Sequence, residues 1–124
     1  KEERLKSNFA IQELLSNGRT VTAFPLKVYW DFRDDPGQKF PVRMAVSVPK
    51  KKFRRAVDRN LIKRRIRESY RLNKKIIYKP LQEKNRKIIL VILFLSEEFI
   101  PFDELNNHVS GILEKLSGKL IAKL

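Results

Sequence analysis

The sequence contains no cysteine and only one histidine, His108. Without cysteine the chain cannot form disulfides or thiolate metal sites, and one imidazole cannot supply the ligand cluster of a transition-metal site. Long apolar runs are also missing, since the longest, Ile88 to Leu95, is far shorter than the roughly 20 residues that a membrane-spanning helix needs. The first residues, KEERLKSNF, lack the apolar segment of a signal peptide. We therefore expect a cytoplasmic protein that has no membrane contact.

Acidic residues are scarce relative to basic ones: 14 Asp and Glu stand against 28 Lys and Arg, which gives a net charge of +14. An excess of this sign predicts a polyanionic partner, most often nucleic acid, with an anionic membrane surface as the weaker alternative. The charge is concentrated in one segment, because residues 50–75 contain thirteen Lys and Arg and only Asp58 and Glu68 as acids. A single segment therefore carries most of the predicted nucleic-acid affinity.

The length of 124 residues and the hydrophobic content of 42% suit one domain spanning residues 1–124. Hydrophobic periodicity and turn residues predict seven elements. In chain order they are a helix over 2–17, strands over Val21–Phe24, Leu26–Phe32 and Phe40–Val48, a helix over Val57–Ile77, a strand over Lys87–Leu95 and a helix over Phe102–Ala122. This order predicts an α+β fold, one sheet with helices packed on it. The strand–helix–strand unit in the middle predicts a parallel crossover, right-handed by the general rule.

The predicted strands differ in how many of their faces are apolar. Lys27 and Tyr29 alternate with apolar residues in the second strand, as Arg43 and Ser47 do in the third, so the sheet should have a polar face. The last strand is apolar on both faces, which is typical of a central buried strand.

The basic helix has one cationic face. At about 100° per residue, an arc of about 140° contains Arg59, Asn60, Lys63, Arg64, Arg67 and Arg71. Apolar residues such as Ile62 and Ile66 fall on another side and should dock on the sheet. A solvated face usually mixes both signs of charge, and a membrane-surface or calmodulin-target helix needs a broader apolar face. Because arginine binds phosphate through its planar fork, RNA is the favoured partner.

The spacing along this helix matches a known pattern. Ala56-Val57, Arg59-Asn60, Lys63-Arg64, Arg67-Glu68 and Arg71 form A-V-x-R-N-x-x-K-R-x-x-R-E-x-x-R, which resembles the signature helix of the protein subunit of bacterial ribonuclease P. Ser47-Val48 followed by Lys50-Lys51 resembles the strand end that precedes this helix in the family. The order of elements is similar across nearly the whole chain. Leu61 stands where the family usually has arginine, and Ile11 and Leu15 stand where it commonly has phenylalanine.

The resemblance implies a fold and a function. The fold would be an α/β sandwich similar to domain 2 of ribosomal protein S5, with about four strands, three helices and a left-handed βαβ crossover, the opposite hand to the general rule. The function would be that of a ribonucleoprotein which removes the 5′ leader of precursor tRNA. Its RNA subunit would perform the catalysis with magnesium ions, while the protein, monomeric when alone, would bind RNA and carry no catalytic residue, metal or cofactor of its own.

The resemblance also implies two binding surfaces. The surface for ribonuclease P RNA would consist of Arg59, Asn60, Lys63, Arg64, Arg67, Arg71, Lys50 and Lys51. A cleft between the first helix and the polar face of the sheet would bind the leader of precursor tRNA through Tyr29, Lys27, Arg43, Ser47, Phe9, Ile11 and Leu15. For the last three side chains, the apolar spacing favours the alternative that they pack in the core. For Tyr29, the alternative is an ordinary aromatic on the sheet surface, and the leader role is favoured.

Other functions explain part of the same sequence. A ribosomal or RNA-chaperone protein would account for the charge and the fold but not for the spaced motif. A nuclease acting without RNA would need clustered carboxylates, whereas the acids here lie mostly at predicted helix starts and turns. Asp34-Asp35 precedes Pro36-Gly37 and is expected to form a turn rather than a metal site, and His108 is expected to be structural or exposed.

Overall fold

The computed structural model describes residues 3–124. Within this range the chain forms four helices and four strands. In order they are α1 (Asn8–Asn17), β1 (Arg19–Ala23), β2 (Leu26–Phe32), β3 (Val42–Ser47), α2 (Ala56–Asn73), α3 (Lys75–Glu83), β4 (Ile88–Phe94) and α4 (Phe102–Lys123). The α+β class is confirmed, and β2 has the predicted bounds, while the other strands differ from their predicted bounds by one or two residues at each end.

The four strands form one mixed sheet in the order β1-β2-β4-β3. β1 and β2 form an antiparallel hairpin, β2 pairs antiparallel with β4, and β3 pairs parallel with β4. The parallel pair is connected through α2 and α3, so the predicted crossover is confirmed. β4 lies between two strands, which explains why its sequence is apolar on both faces.

The two faces of β4 belong to two separate cores. Leu90 and Ile92 belong to the larger one, which includes side chains of α2, α3 and α4. Ile89 and Val91 point to the other face and pack with Leu5 and α1 side chains. The sheet is therefore sandwiched, with α1 on one face and the other three helices on the opposite face.

The first helix begins later than predicted. It starts at Asn8, where the side-chain oxygen of Ser7 accepts a hydrogen bond from the backbone N–H of Ala10 at 3.2 Å and caps the helix. Residues 3–5 instead run along the outer edge of β3, where the N–H of Leu5 donates to Met44 and the N–H of Met44 donates to Glu3, both at 2.8 Å. This pairing satisfies backbone groups that an edge strand would otherwise expose. The start of the predicted helix, before residue 3, lies outside the described residues.

The single long helix predicted over Val57–Ile77 is divided into α2 and α3, so the structure has four helices rather than three. α2 ends at Asn73, whose side-chain amide donates to the backbone oxygen of Ser69 and to the side-chain oxygen of Asn106 in α4. Pro80 lies buried inside α3. The apolar packing of α3 on α4 compensates for the helical hydrogen bond that proline cannot donate.

Candidate nucleic-acid interface

The exposed side of α2 carries a continuous cationic surface. The helix buries Ile62, Ile66, Ser69 and Tyr70, and the first two of these were predicted to dock on the sheet. On the opposite side, a depression of about 520 Å³ is lined by Asn60, Arg64, Arg67, Glu68, Arg71 and, from the N-terminal segment, Arg4. The helix therefore brings together four of the six residues that the angular projection placed on its cationic face.

The cations on this surface destabilise one another. Partial burial lowers the pKa of Lys63, and the neighbouring charges of Arg67 and Arg59 lower it further. Burial likewise lowers the pKa of Arg67, with an added contribution from the charge of Arg4. The Nε atom of Arg67 is also buried without a hydrogen-bond partner among the described residues. A bound polyanion would relieve both the repulsion and the unpaired donor.

Arg71 differs from its neighbours because its guanidinium is already paired. Its Nε and Nη2 atoms donate to the two carboxylate oxygens of Glu68 at 2.9 and 2.7 Å. This pairing raises the pKa of Arg71 and lowers that of Glu68. A phosphate that binds Arg71 bidentately must therefore compete with Glu68.

Arg59 is oriented toward its own chain. Its Nη1 atom donates to the backbone oxygens of Phe53 and Arg54 at 2.9 and 2.8 Å. Phe53 is buried and packs edge-on against Phe99, with ring centroids 5.2 Å apart. Together these contacts fix the loop before α2, on which Lys50 and Lys51 are exposed. The structure thus places Arg59 in support of the cationic surface.

The face of the sheet under α1 brings three of the four leader residues predicted on the strands into two adjacent rows. The strand register aligns Lys27 with Leu93 and Leu93 with Ser47, so Lys27 and Ser47 face the same side, about 10 Å apart across two strand spacings. The next row aligns Tyr29 with Val91 and Ala45. The ammonium of Lys27 lies 5.0 Å from the centroid of the Tyr29 ring. We call Lys27, Tyr29, Ser47 and Leu93 the sheet shelf.

Helix α1 forms the side of this shelf. Ile11 and Leu15 are partly buried and pack, as Tyr29 does, at the margin of the cluster under α1. Phe9 is 76% exposed, so the prediction that it faces the core is wrong. Asn8, not a residue near position 2, begins the helix, and this start leaves Phe9 in a first turn that projects beyond the small core. Two partly buried aliphatic side chains of α1 therefore border the shelf.

Arg43 lies one register row beyond Tyr29, aligned with Ile89 and Asp31. It lines a separate pocket of about 340 Å³ together with Arg4, Lys6 and Arg33. Of the predicted leader residues, Arg43 is therefore the one that the structure places in a different depression.

Arg4 and Leu93 were not among the predicted binding residues. Arg4 lines both the α2 depression and the Arg43 pocket, and Leu93 lies half-buried between Lys27 and Ser47. Ser7, directly before the apolar periodicity of α1, is an N-cap signal that would have left Arg4 outside the helix. For Leu93 the sequence offers no such signal, since β4 is apolar throughout.

The remaining candidates have structural contacts. Asp34 accepts hydrogen bonds from Arg86 and from the backbone of Lys87, and Asp35 accepts from Gly37, as expected of turn residues. His108 is partly exposed, 3.8 Å from Glu104. Between residues 3 and 124 no group of three or more His, Asp or Glu is arranged to hold a metal ion. In the same range no helix combines the length and apolarity needed to cross a membrane.

Comparison with protein families gives a match to ribonuclease P over residues 1–117. The ribonuclease P protein component of Porphyromonas gingivalis is 32% identical over 120 residues, which cover 97% of this chain and 87% of the relative. That of Chlorobaculum tepidum is 41% identical over 81 residues, covering 64% of this chain and 53% of the relative.

Solved structures have the same fold. The ribonuclease P protein of Staphylococcus aureus superposes with a TM-score of 0.73 at 24% identity, covering 94% of this chain and 96% of the other. The ribonuclease P protein of Thermotoga maritima gives a TM-score of 0.71 at 20% identity, covering 90% and 96%. The arrangement of α1, the sheet and α2 described above is therefore shared with these proteins.

Proposed function

Because the chain belongs to the ribonuclease P protein family, we propose that it is the protein subunit of a cytoplasmic ribonuclease P that removes 5′ leaders from precursor tRNA. In this proposal the RNA subunit cleaves the substrate with magnesium ions, and the protein binds both RNAs. The observation that carries the proposal is the α2 surface, on which Arg64 and Arg67 lie beside Asn60 and Arg4. Glu68 is the one acidic residue among the described residues that line the depression.

The α2 surface suits the RNA subunit. Guanidinium groups bind phosphate oxygens through two parallel hydrogen bonds, and each phosphate offsets repulsion between neighbouring cations. Lys63 and Arg67, whose pKa values are lowered by burial and by adjacent cations, gain most from such a partner. The exposed Lys50 and Lys51 extend the surface along the loop before the helix.

The sheet shelf suits the single-stranded leader. Single-stranded RNA is recognised chiefly by stacking of bases on aromatic rings and by contacts to its sugar and phosphate groups. Tyr29 supplies the ring, Lys27 and Ser47 supply the polar contacts, and Leu93 lies between them as an apolar floor. Ile11 and Leu15 border the shelf from α1, and Phe9 is exposed on the same helix, so a strand that runs from the shelf along α1 would contact both elements.

Reconstitution tests the proposed function. The purified protein should increase cleavage of precursor tRNA by a bacterial ribonuclease P RNA at limiting magnesium concentration and should cleave nothing when that RNA is omitted. Cleavage by the protein alone would identify a self-sufficient nuclease. Co-purification of ribosomal RNA, with no effect on precursor cleavage, would identify a ribosomal or RNA-chaperone protein instead.

The leader contact is tested by Tyr29→Ala in the reconstituted holoenzyme. Loss of a base–aromatic stack costs about 1–3 kcal/mol, or roughly five- to 150-fold in affinity. We expect this loss for a precursor with a leader of several nucleotides and no change for one with a single nucleotide, measured by equilibrium binding. Tyr29→Phe keeps the ring and should bind both normally. An equal loss for both substrates would remove Tyr29 from the leader site.

A further inference from the structure

The pocket that contains Arg43 has features that the sheet shelf lacks. It lies between the extended N-terminal segment, the first turn of α1 and the loop between β2 and β3. Its volume of about 340 Å³ is at the lower end of the range for sites that bind one small ligand. We call it the N-terminal pocket.

The lining of the N-terminal pocket has one sign of charge. Five of its residues are cationic, and none of the described residues that line it is acidic. The cations are Arg4, Lys6, Arg33, Lys39 and Arg43. Ser7 and Ala10 also line the pocket, so the positive end of the α1 dipole adjoins it. Cations from three separate segments and a helix N-terminus together favour a phosphate group.

A buried acceptor points to a second feature of the ligand. Gln38 lines the pocket, yet its side chain is only 1% exposed. Its Nε2 atom donates to the backbone oxygens of Phe40 and Ile88 at 2.9 and 3.3 Å. These two carbonyls fix the orientation of the amide, because the reverse orientation would place oxygen against oxygen. The Oε1 atom is then left buried without a donor among the described residues, and such a group ordinarily has a partner.

The floor of the pocket is apolar. Leu5, Ala10 and Ile89 form it, and all three belong to the small core under α1. The pocket therefore combines an apolar floor, a phosphate-binding rim and one acceptor that needs a donor. A nucleotide has all three complementary parts.

We propose that the N-terminal pocket binds one ribonucleotide of the leader, with its phosphate held by Arg4, Lys6 and Arg43 and its 2′-hydroxyl donating to Oε1 of Gln38. The 2′-hydroxyl is the donor that every ribonucleotide carries whatever its base, and it distinguishes RNA from DNA. Gln38 thus reads the sugar and leaves the base free to vary. This inference rests on the proposed leader-binding function and adds a sugar-specific position to it.

The test uses the assembled holoenzyme and a series of precursor tRNAs in which each leader nucleotide in turn is 2′-deoxy. With the wild-type protein, one leader position should show a loss of affinity of about three- to tenfold, which corresponds to one hydrogen bond. Gln38→Met keeps a similar side-chain volume but removes the acceptor, so the same deoxy substitution should then have no effect. A wild-type series without a sensitive position overturns the assignment, and so does an undiminished deoxy effect in a folded Gln38→Met protein.

The wild-type series keeps the inference testable if Gln38→Met weakens the fold through its lost backbone contacts.

For the phosphate, Lys6→Ala and Arg43→Ala should each weaken binding of a long-leader precursor several-fold, whereas Lys79→Ala, which replaces an exposed lysine on α3, should not. Equal effects of all three variants would overturn the proposal that the N-terminal pocket binds the leader phosphate. Holoenzyme that binds precursor no more tightly than mature tRNA would overturn the leader proposal as well, whereas leader-dependent binding with a flat deoxy series overturns the pocket alone.

Discussion

The guanidinium group of Arg59 joins α2 to the loop that precedes it. Its hydrogen bonds to the backbone of Phe53 and Arg54 hold the one loop that carries Lys50 and Lys51. The group is partly buried, so it is poorly placed to bind a phosphate without releasing these carbonyls. Its contribution to RNA binding is therefore to position other cations.

Arg59→Lys should consequently reduce thermal stability as well as RNA affinity. A lysine keeps the charge, but its side chain ends one bond short of the position of Nη1, the atom that donates to both carbonyls. The lost hydrogen bonds are worth about 1–2 kcal/mol. Thermal unfolding of the free protein and holoenzyme activity across a magnesium titration are the two measurements. Lys63→Arg, the control, should leave stability unchanged, and equal behaviour of both variants would show that the Nη1 hydrogen bonds of Arg59 are unimportant.

Helix α2 carries the cationic surface, and the N-terminal segment extends this surface through Arg4. The segment follows the edge of β3, and its Glu3 accepts hydrogen bonds from Lys74, at 2.8 Å, and from the hydroxyl of Tyr78. Arg4 is thereby held beside Arg67 on one side and the N-terminal pocket on the other. The α2 depression and the N-terminal pocket, which are both proposed to bind RNA, thus adjoin at Arg4.

Replacing Arg64 and Arg67 with alanine should make RNA-subunit affinity less dependent on salt. Each neutralised phosphate contributes about 0.7–0.9 to the slope of log affinity against log salt concentration, so the magnitude of the slope should fall by about 1.4–1.8. Thermal stability should be almost unchanged, because burial and the charge of Arg4 already disfavour the cation at Arg67. Lys79→Ala in α3 with Lys84→Ala directly after it removes the same charge away from the α2 depression and should leave the slope intact.

The hydrogen-bonded carboxylate of Glu3 should make the stability of the fold depend on pH. Burial alone would raise its pKa, but the hydrogen bonds from Lys74 and Tyr78 hold it below the usual 4.5. A lowered pKa contributes stability above 4.5 that is lost as the pH falls through the value in the folded protein. Glu3→Gln should therefore be less stable at neutral pH and lose less stability on acidification to about pH 3, as measured by urea unfolding. Glu83→Gln, at an exposed position on α3, should follow the wild-type curve.

For the whole molecule, β4 divides the interior into a large core under three helices and a small one under α1. Among the described residues, the buried members of the small core are Leu5, Ala10, Leu14, Ile89 and Val91. The layer that borders the sheet shelf therefore has much less apolar packing than the layer that carries the cationic surface of α2. Local opening of α1 should cost less free energy than global unfolding.

Ile92→Ala and Ile89→Ala compare the two cores on one strand. Loss of a buried isoleucine costs about 2–5 kcal/mol, more where the surroundings cannot collapse. We expect Ile92→Ala at the upper end of this range and Ile89→Ala at the lower end, by chemical denaturation. Ile89→Ala should in addition accelerate amide hydrogen exchange in α1 more than in α4. Equal exchange in both helices would show that the sandwich unfolds as one unit.

The sequence by itself determined the strands, the central position of β4 and the cationic face of α2. These features follow from periods of two and 3.6 residues, which are local to each segment. It also predicted that Asp34 and Asp35 form a turn, where Asp35 accepts a hydrogen bond from the backbone of Gly37 two positions on. The partner of Asp34, Arg86, lies 52 positions away and was not predicted.

Only the tertiary structure decided where the N-terminal segment lies, where α2 ends and which way Arg59 points. The contact of Glu3 with Lys74 and that of Asn73 with Asn106 join residues far apart in the chain, so no local period encodes them. The buried acceptor of Gln38 likewise depends on Ile88, fifty positions later. Local patterns specify which face a side chain occupies, whereas its partners are specified by elements that meet only when the chain has folded.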